Sequence, residues 1–254
     1  MKLSKKYSKS PIIEATCQFG FKNPDKWDWT IPGILYQKIN NVYPIKEEIW
    51  QKGVEFHIKS ESKDSPEFIP LNKIIGMRFL NEKRNRLIQI QEKTLSINIL
   101  KPYTDWKEFK SQIINALKVY NNQLKPDGIL RIGLRYINNF DFLPERFEIE
   151  KYFNYYPIYP DKNQESIGEM IVRSSIPIPN IREQEGFMHL LLYLNQPIGQ
   201  KDRRNILDLD MVFLRNNENL IMIDEAKDYI EKAHTHIKEI FESCITDEMR
   251  KEIE

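Results

Sequence analysis

The chain has 254 residues, enough for one large domain or two small ones with a sizeable core. Its 38 Lys and Arg stand against 37 Asp and Glu, so no net charge draws it to nucleic acid or anionic membrane. Two cysteines, Cys17 and Cys244, exclude a disulfide framework and are expected as buried thiols in a reducing compartment.

The N-terminus lacks the apolar core of a leader, and no apolar run approaches the ~18 residues of a membrane span. A soluble, cytoplasmic protein is expected.

Residues 12–19 alternate, with Ile13, Ala15, Cys17 and Phe19 on one side and Glu14, Thr16 and Gln18 on the other. That pattern predicts a half-buried strand. Thr30 and Pro32 signal a helix start, and Ile34, Leu35, Ile39 and Val42 form a stripe that ends before Pro44. Strands are expected at 54–58, 74–80, 86–91 and 95–100, separated by the polar segment 60–65 and a turn at 81–85. Asp105, with Glu108 three residues on, opens a long helix whose Trp106, Phe109, Ile113, Leu117 and Tyr120 share one face. Pro126-Asp127-Gly128 turns the chain back, marking halves 1–125 and 126–254 joined by a short turn within one sheet.

The second half reads as a strand at 130–136, a short helix at 148–155, and an irregular stretch through Pro157 and Pro160. Strands follow at 170–176, 187–194 and 206–214, then a final helix striped by Ala226, Ile230, Ala233, Ile237, Phe241 and Cys244. The charged tail 247–252 is expected to fray. The aromatic run Tyr152, Phe153, Tyr155, Tyr156 and Tyr159 reads as a hydrophobic plug under a loop. Both halves follow the order β-α-β-β-β-α without obvious residue identity. Largely antiparallel strands with long helices on one face make the fold class α+β.

If the apolar side of every strand faces the helices, the other side is unusually polar. It carries Glu14, Thr16, Gln18, Gln89, Ser96, Asn98, Arg131, Arg135, His189, Asp208 and Asp210. One wet face is ordinary for an antiparallel sheet. Mid-strand Glu, Gln, Asn and Asp are not, because these residues form strands poorly. Arg131 and Arg135 share a face and could clamp a carboxylate or phosphate, with Gly133 leaving room between them. Asp208 and Asp210 could orient the arginines or bind a divalent cation. The same charges can instead pair with one another across a solvated sheet.

His234 and His236 are two apart on a helix and cannot form an i, i+4 zinc pair; His234 reads as a packing histidine. No CxxC, HExxH, GxSxG, GxxxxGK[ST] or GxGxxG occurs. No catalytic residue, metal ligand or cofactor is therefore assigned.

Pro11-Ile12-Ile13-Glu14-Ala15, Arg131-Ile132-Gly133-Leu134-Arg135-Tyr136-Ile137-Asn138 and Ala233-His234-Thr235-His236-Ile237 resemble a sporadically distributed family of bacterial proteins. Leu100-Lys101-Pro102-Tyr103, Phe241 and Ile245-Thr246-Asp247 fit as well. The resemblance runs nearly end to end, and the arginine-bearing strand is its most specific part. It brings no catalytic residues. The family's patchy occurrence resembles that of mobile defence or toxin–antitoxin genes, an association and not a mechanism.

The expected function is a non-enzymatic binding or accessory protein of such a module. It would hold an acidic protein partner or small anion with Glu14, Arg131, Arg135, Asn138, Asp208 and Asp210. The alternative is a metal-dependent enzyme acting on phosphate or nucleic acid, with Glu14, Asp208 and Asp210 as ligands. Net charge gives nucleic acid no support, no membrane partner is expected, and a homodimer through the wet face is a third possibility.

Overall fold

The computed structural model describes residues 7–22, 27–57, 67–144, 147–157, 169–178, 185–195 and 204–254. Their strands are β1 (Ile12–Lys22), β2 (Ile45–His57), β3 (Glu67–Leu80), β4 (Arg86–Gln91), β5 (Thr94–Leu100), β6 (Gly128–Asn139), β7 (Glu169–Pro177), β8 (Glu185–Asn195) and β9 (Arg204–Leu214). The helices are α1 (Thr30–Ile39), α2 (Trp106–Leu124), α3 (Ile149–Tyr152), α4 (Ala226–Cys244) and α5 (Asp247–Ile253). The α+β class holds. The order departs from the expected repeat in two respects: the four strands expected individually all lie between α1 and α2, and α5 follows α4.

Parity along β1 sets the layers. Ala15, Cys17, Phe19 and Phe21 are buried, whereas their neighbours are only half-buried. Cross-strand register carries this alternation through the sheet. Phe79, Ile88, Ile97, Cys17, Leu134, Met211 and Met188 follow one another across six strand pairings and share one face. The sheet runs β2-β3-β4-β5-β1-β6-β9-β8-β7 with every pairing antiparallel. Its centre is the pairing of β1 with β6, which joins the two parts of the chain in one sheet.

The helices cover that apolar face. Tyr120 of α2 stacks on Phe21 with ring centroids 4.2 Å apart, and Tyr229 of α4 meets Phe213 edge-on at 5.0 Å. Burial of rings of this size contributes roughly 1.5–3 kcal/mol each. The start of α2 is fixed as expected. The Asp105 carboxylate accepts the Glu108 N–H at 2.8 Å, and the chain leaves the helix through Lys125 in a left-handed conformation.

Three expectations need correction. The stripe of α1 is Pro32, Leu35 and Ile39, while Ile34 and Val42 are exposed. β2 and β3 are much longer than expected, because their mutual ladder extends from Ile45–Leu80 to His57–Glu67. The tail does not fray but forms α5, whose Met249 and Ile253 are fully buried. The segment expected to be polar at 60–65 and Tyr159 lie outside the described residues.

Cys17 and Cys244 are buried free thiols, as expected. Burial raises both thiol pKa values, that of Cys244 to about 12, so both stay protonated.

Candidate functional site

The opposite face of the same strands carries two adjacent polar rows. Asn98, Thr16, Arg135, Asp210 and His189 follow one another across β5, β1, β6, β9 and β8. Beside them run Arg78, Gln89, Ser96, Gln18 and Gly133 across β3, β4, β5, β1 and β6. The rows are stitched by side-chain hydrogen bonds. The Asn98 amide donates to Glu14 Oε1 and Thr16 Oγ1, each at 2.7 Å, and accepts from Gln89 Nε2 at 3.1 Å. Thr16 also donates to Glu14 Oε1 at 3.0 Å. These bonds let Asn98 stay buried on a polar face without an unmet group.

Arg131 and Arg135 lie on this face but are held differently. Arg135 makes a two-pronged ion pair with Asp208, its Nε donating to Oδ1 at 2.8 Å and its Nη2 to Oδ2. Arg131 folds along its own strand. A Cβ placed on Gly133 would lie 2.8 Å from Nη1 and 2.9 Å from Nη2 of Arg131. The room left by that glycine is therefore filled by the Arg131 guanidinium, and not held open for a ligand. Arg131 Nη1 then donates to Gln18 Oε1 at 2.6 Å, and Gln18 Nε2 donates to Ser96 Oγ at 3.1 Å.

Asp210 is the centre of this arrangement. Burial raises its pKa, while both guanidinium groups oppose the rise and Asp208 adds to it. No hydrogen-bond donor among the described residues reaches its carboxylate. Across the strand pair, His189 keeps a buried Nδ1 without a partner. No protein-family model matches the chain, and no curated protein is similar to it. The chemistry of the face is thus argued from its own groups: donors remaining on Arg131, an open acceptor on Asp210, and an unmet imidazole nitrogen.

Five of the six expected site residues, Glu14, Arg131, Arg135, Asp208 and Asp210, share this face. Asn138 does not. It is buried on the helix side, where Nδ2 donates to the Leu207 carbonyl at 3.0 Å, because strand parity groups it with Leu134 and Tyr136. Among the described residues no three His, Cys, Asp or Glu side chains gather as a metal site. Glu14, Asp208 and Asp210 therefore do not form the ligand set of the alternative reading, and Asp208 has both oxygens on Arg135.

Sequence reasoning missed Arg78, opposite Gln89 in the second row. Its Nε is buried without a partner, and its Nη1 is 3.8 Å from Glu47. The signal was present: with residues 74–80 read as a strand, parity places Arg78 opposite Met77 and Phe79.

His234 is the packing histidine the helical stripe implied. It stacks on Trp106, with centroids 4.1 Å apart, and its Nδ1 hydrogen-bonds the Tyr136 hydroxyl at 3.2 Å. Burial, with Lys238 adding to it, lowers its pKa to about 4, so the ring is neutral at physiological pH.

Proposed function

We propose that the protein is a non-enzymatic binding or accessory protein whose polar sheet face holds an acidic segment of a protein partner. The observation that carries this reading is the pair of guanidinium groups on one sheet face, Arg131 held by Gln18 and Arg135 by Asp208, with Asp210 within electrostatic reach of both. Both guanidinium groups act on one carboxylate, Arg131 is positioned by Gln18, and Arg135 remains about half exposed. An incoming carboxylate can take donors left over on Arg131 and exchange with Asp208 for those on Arg135. The buried amide network positions this surface, and the unmet Nδ1 of His189 offers it a partner besides charge.

An accessory or antitoxin-like role in a bacterial defence module is part of the proposal and follows from the family resemblance alone. A cytoplasmic setting is part of the proposal too, and rests on the two free thiols. Among the described residues no helix is long and apolar enough to cross a membrane. We also read the two parts of the chain as a pseudo-repeat. The pairing of β1 with β5 and of β6 with β9, the first and last strands of each part, supports that reading.

Calorimetric titration with an octaglutamate peptide tests the binding surface. The wild-type protein is expected to bind in a salt-sensitive manner, and Arg131→Ala and Arg135→Ala to weaken binding by about fivefold each. Identical titrations for wild type and both variants would sink the proposal. Saturable Mg²⁺ or Mn²⁺ binding that Asp208→Ala abolishes would favour the metal-dependent alternative instead.

A further inference from the structure

The helix side holds an open cavity of about 550 Å³, within the range of small-molecule sites. It lies between the segment 7–12, the loop 103–107, β6 and α4. Aromatic rings form one part of its wall. Trp106 and His234 stack within 8° of parallel, and Tyr103 meets Tyr136 edge-on at 5.7 Å. Phe241 also lines it.

These rings are fixed before anything binds. The Trp106 indole N–H donates to Glu231 at 2.9 Å, and the Tyr136 hydroxyl bonds His234 at 3.2 Å and Tyr103 at 3.4 Å. A preformed aromatic slot leaves little ordering entropy for a flat ligand to overcome.

Charge at the cavity selects the ligand's other end. Its two carboxylates are already engaged. Asp105 caps α2 through the Glu108 N–H, and Glu242 accepts from the Tyr7 hydroxyl at 2.8 Å and from Arg250 Nε at 2.9 Å. Two ammonium groups, Lys107 and Lys238, line the cavity with no carboxylate partner among the described residues. His234 adds no positive charge, since burial keeps it neutral. With Glu242 paired to Arg250, Lys107 and Lys238 outnumber the Asp105 carboxylate by one charge.

We propose that this cavity binds a small aromatic carboxylate, its ring packing against the lining rings of Trp106, His234 and Tyr103 and its charge meeting Lys107 and Lys238. Asn138 belongs to this site and not to the arginine face. The site is independent of the sheet's polar face, which lies on the other side of β6.

The test uses two probes with one ring, 1-naphthoate and 1-naphthylmethylammonium, titrated calorimetrically into the full chain. The carboxylate is expected to bind one site per chain about tenfold more tightly than the ammonium. The double variant Lys107→Gln/Lys238→Gln, which changes only side chains at the cavity mouth, is expected to lose about fivefold of that affinity with its melting transition unchanged. Arg135→Ala is expected to leave it intact. No saturable binding, equal affinity for both probes, or an unaffected double variant would overturn the proposal. Loss of binding in Arg135→Ala would overturn it too, by assigning the anion to the sheet face.

Discussion

Asp210 shows how a single carboxylate can be held against its own preference. Burial raises its pKa although Arg131 and Arg135 both pull it down. Between the ordinary carboxylate value and the raised one, the folded chain carries more protons at this position than the unfolded chain. Stability therefore falls as pH rises through that window and stays lower above it. Asp210→Asn keeps the shape and removes the charge. The variant is expected to melt higher than wild type at neutral pH, with the difference closing as pH falls below the ordinary carboxylate range. A series of thermal melts from pH 3 to pH 7 checks this. A variant that melts lower at neutral pH would mean that the arginines need Asp210 more than burial penalises it. The same substitution removes a negative charge that repels an incoming carboxylate, so octaglutamate affinity is expected to rise. A residue that lowers stability while shaping a binding surface is a common mark of function.

Within the strands, two glycines separate what the fold needs from what the site needs. The nearest atoms to a Cβ on Gly133 are the far end of the Arg131 side chain, at 2.8–3.1 Å, and that end can swing away. Gly133→Ala is expected to hold stability within about 0.5 kcal/mol and to weaken octaglutamate binding as Arg131→Ala does. A Cβ on Gly76 would lie 2.3 Å from the Ile90 carbonyl oxygen, which is backbone of the paired strand. Gly76→Ala is expected to destabilise by about 2 kcal/mol, since β3 and β4 must part. Urea unfolding of both variants distinguishes the two glycines.

The same strands show why parts of the fold were legible. β1, β4, β5, β6, β8 and β9 alternate because one face packs on helices, and that alternation also named five of the six site residues. β2 begins with Lys46, Glu47 and Glu48 at a sheet edge, where pairing with β3 and not composition makes the strand. Asn138 is polar but shares the parity of Tyr136, and parity and not polarity decides the face it takes. The aromatic cavity has no linear signature, as its wall comes from five separate stretches of chain.

Across the whole molecule, the two ends of the described chain are tied together. Lys9 N–H donates to the Ile253 carbonyl at 3.1 Å, and the Tyr7 hydroxyl reaches Glu242 on α4. α5 makes this closure possible despite its charged composition. Thr246 caps it by accepting the Met249 N–H at 3.3 Å, and Met249 and Ile253, four residues apart, form one buried stripe. Arg250 on its other side grips Glu242 through Nε and the Glu242 carbonyl through Nη2. Met249→Ala/Ile253→Ala removes the stripe and is expected to destabilise by about 4 kcal/mol, from two buried truncations that share one cavity. Because α3, α5 and the sheet share one continuous core, the loss is expected to appear as a single cooperative transition shifted to lower urea, and not as an early separate phase. Arg250→Ala acts on the same helix without touching its buried face. It frees the Glu242 carboxylate beside the aromatic cavity, so 1-naphthoate affinity is expected to fall while the urea midpoint moves little. An early unfolding phase in the double variant would show α5 to be an appendage and not part of the cooperative core.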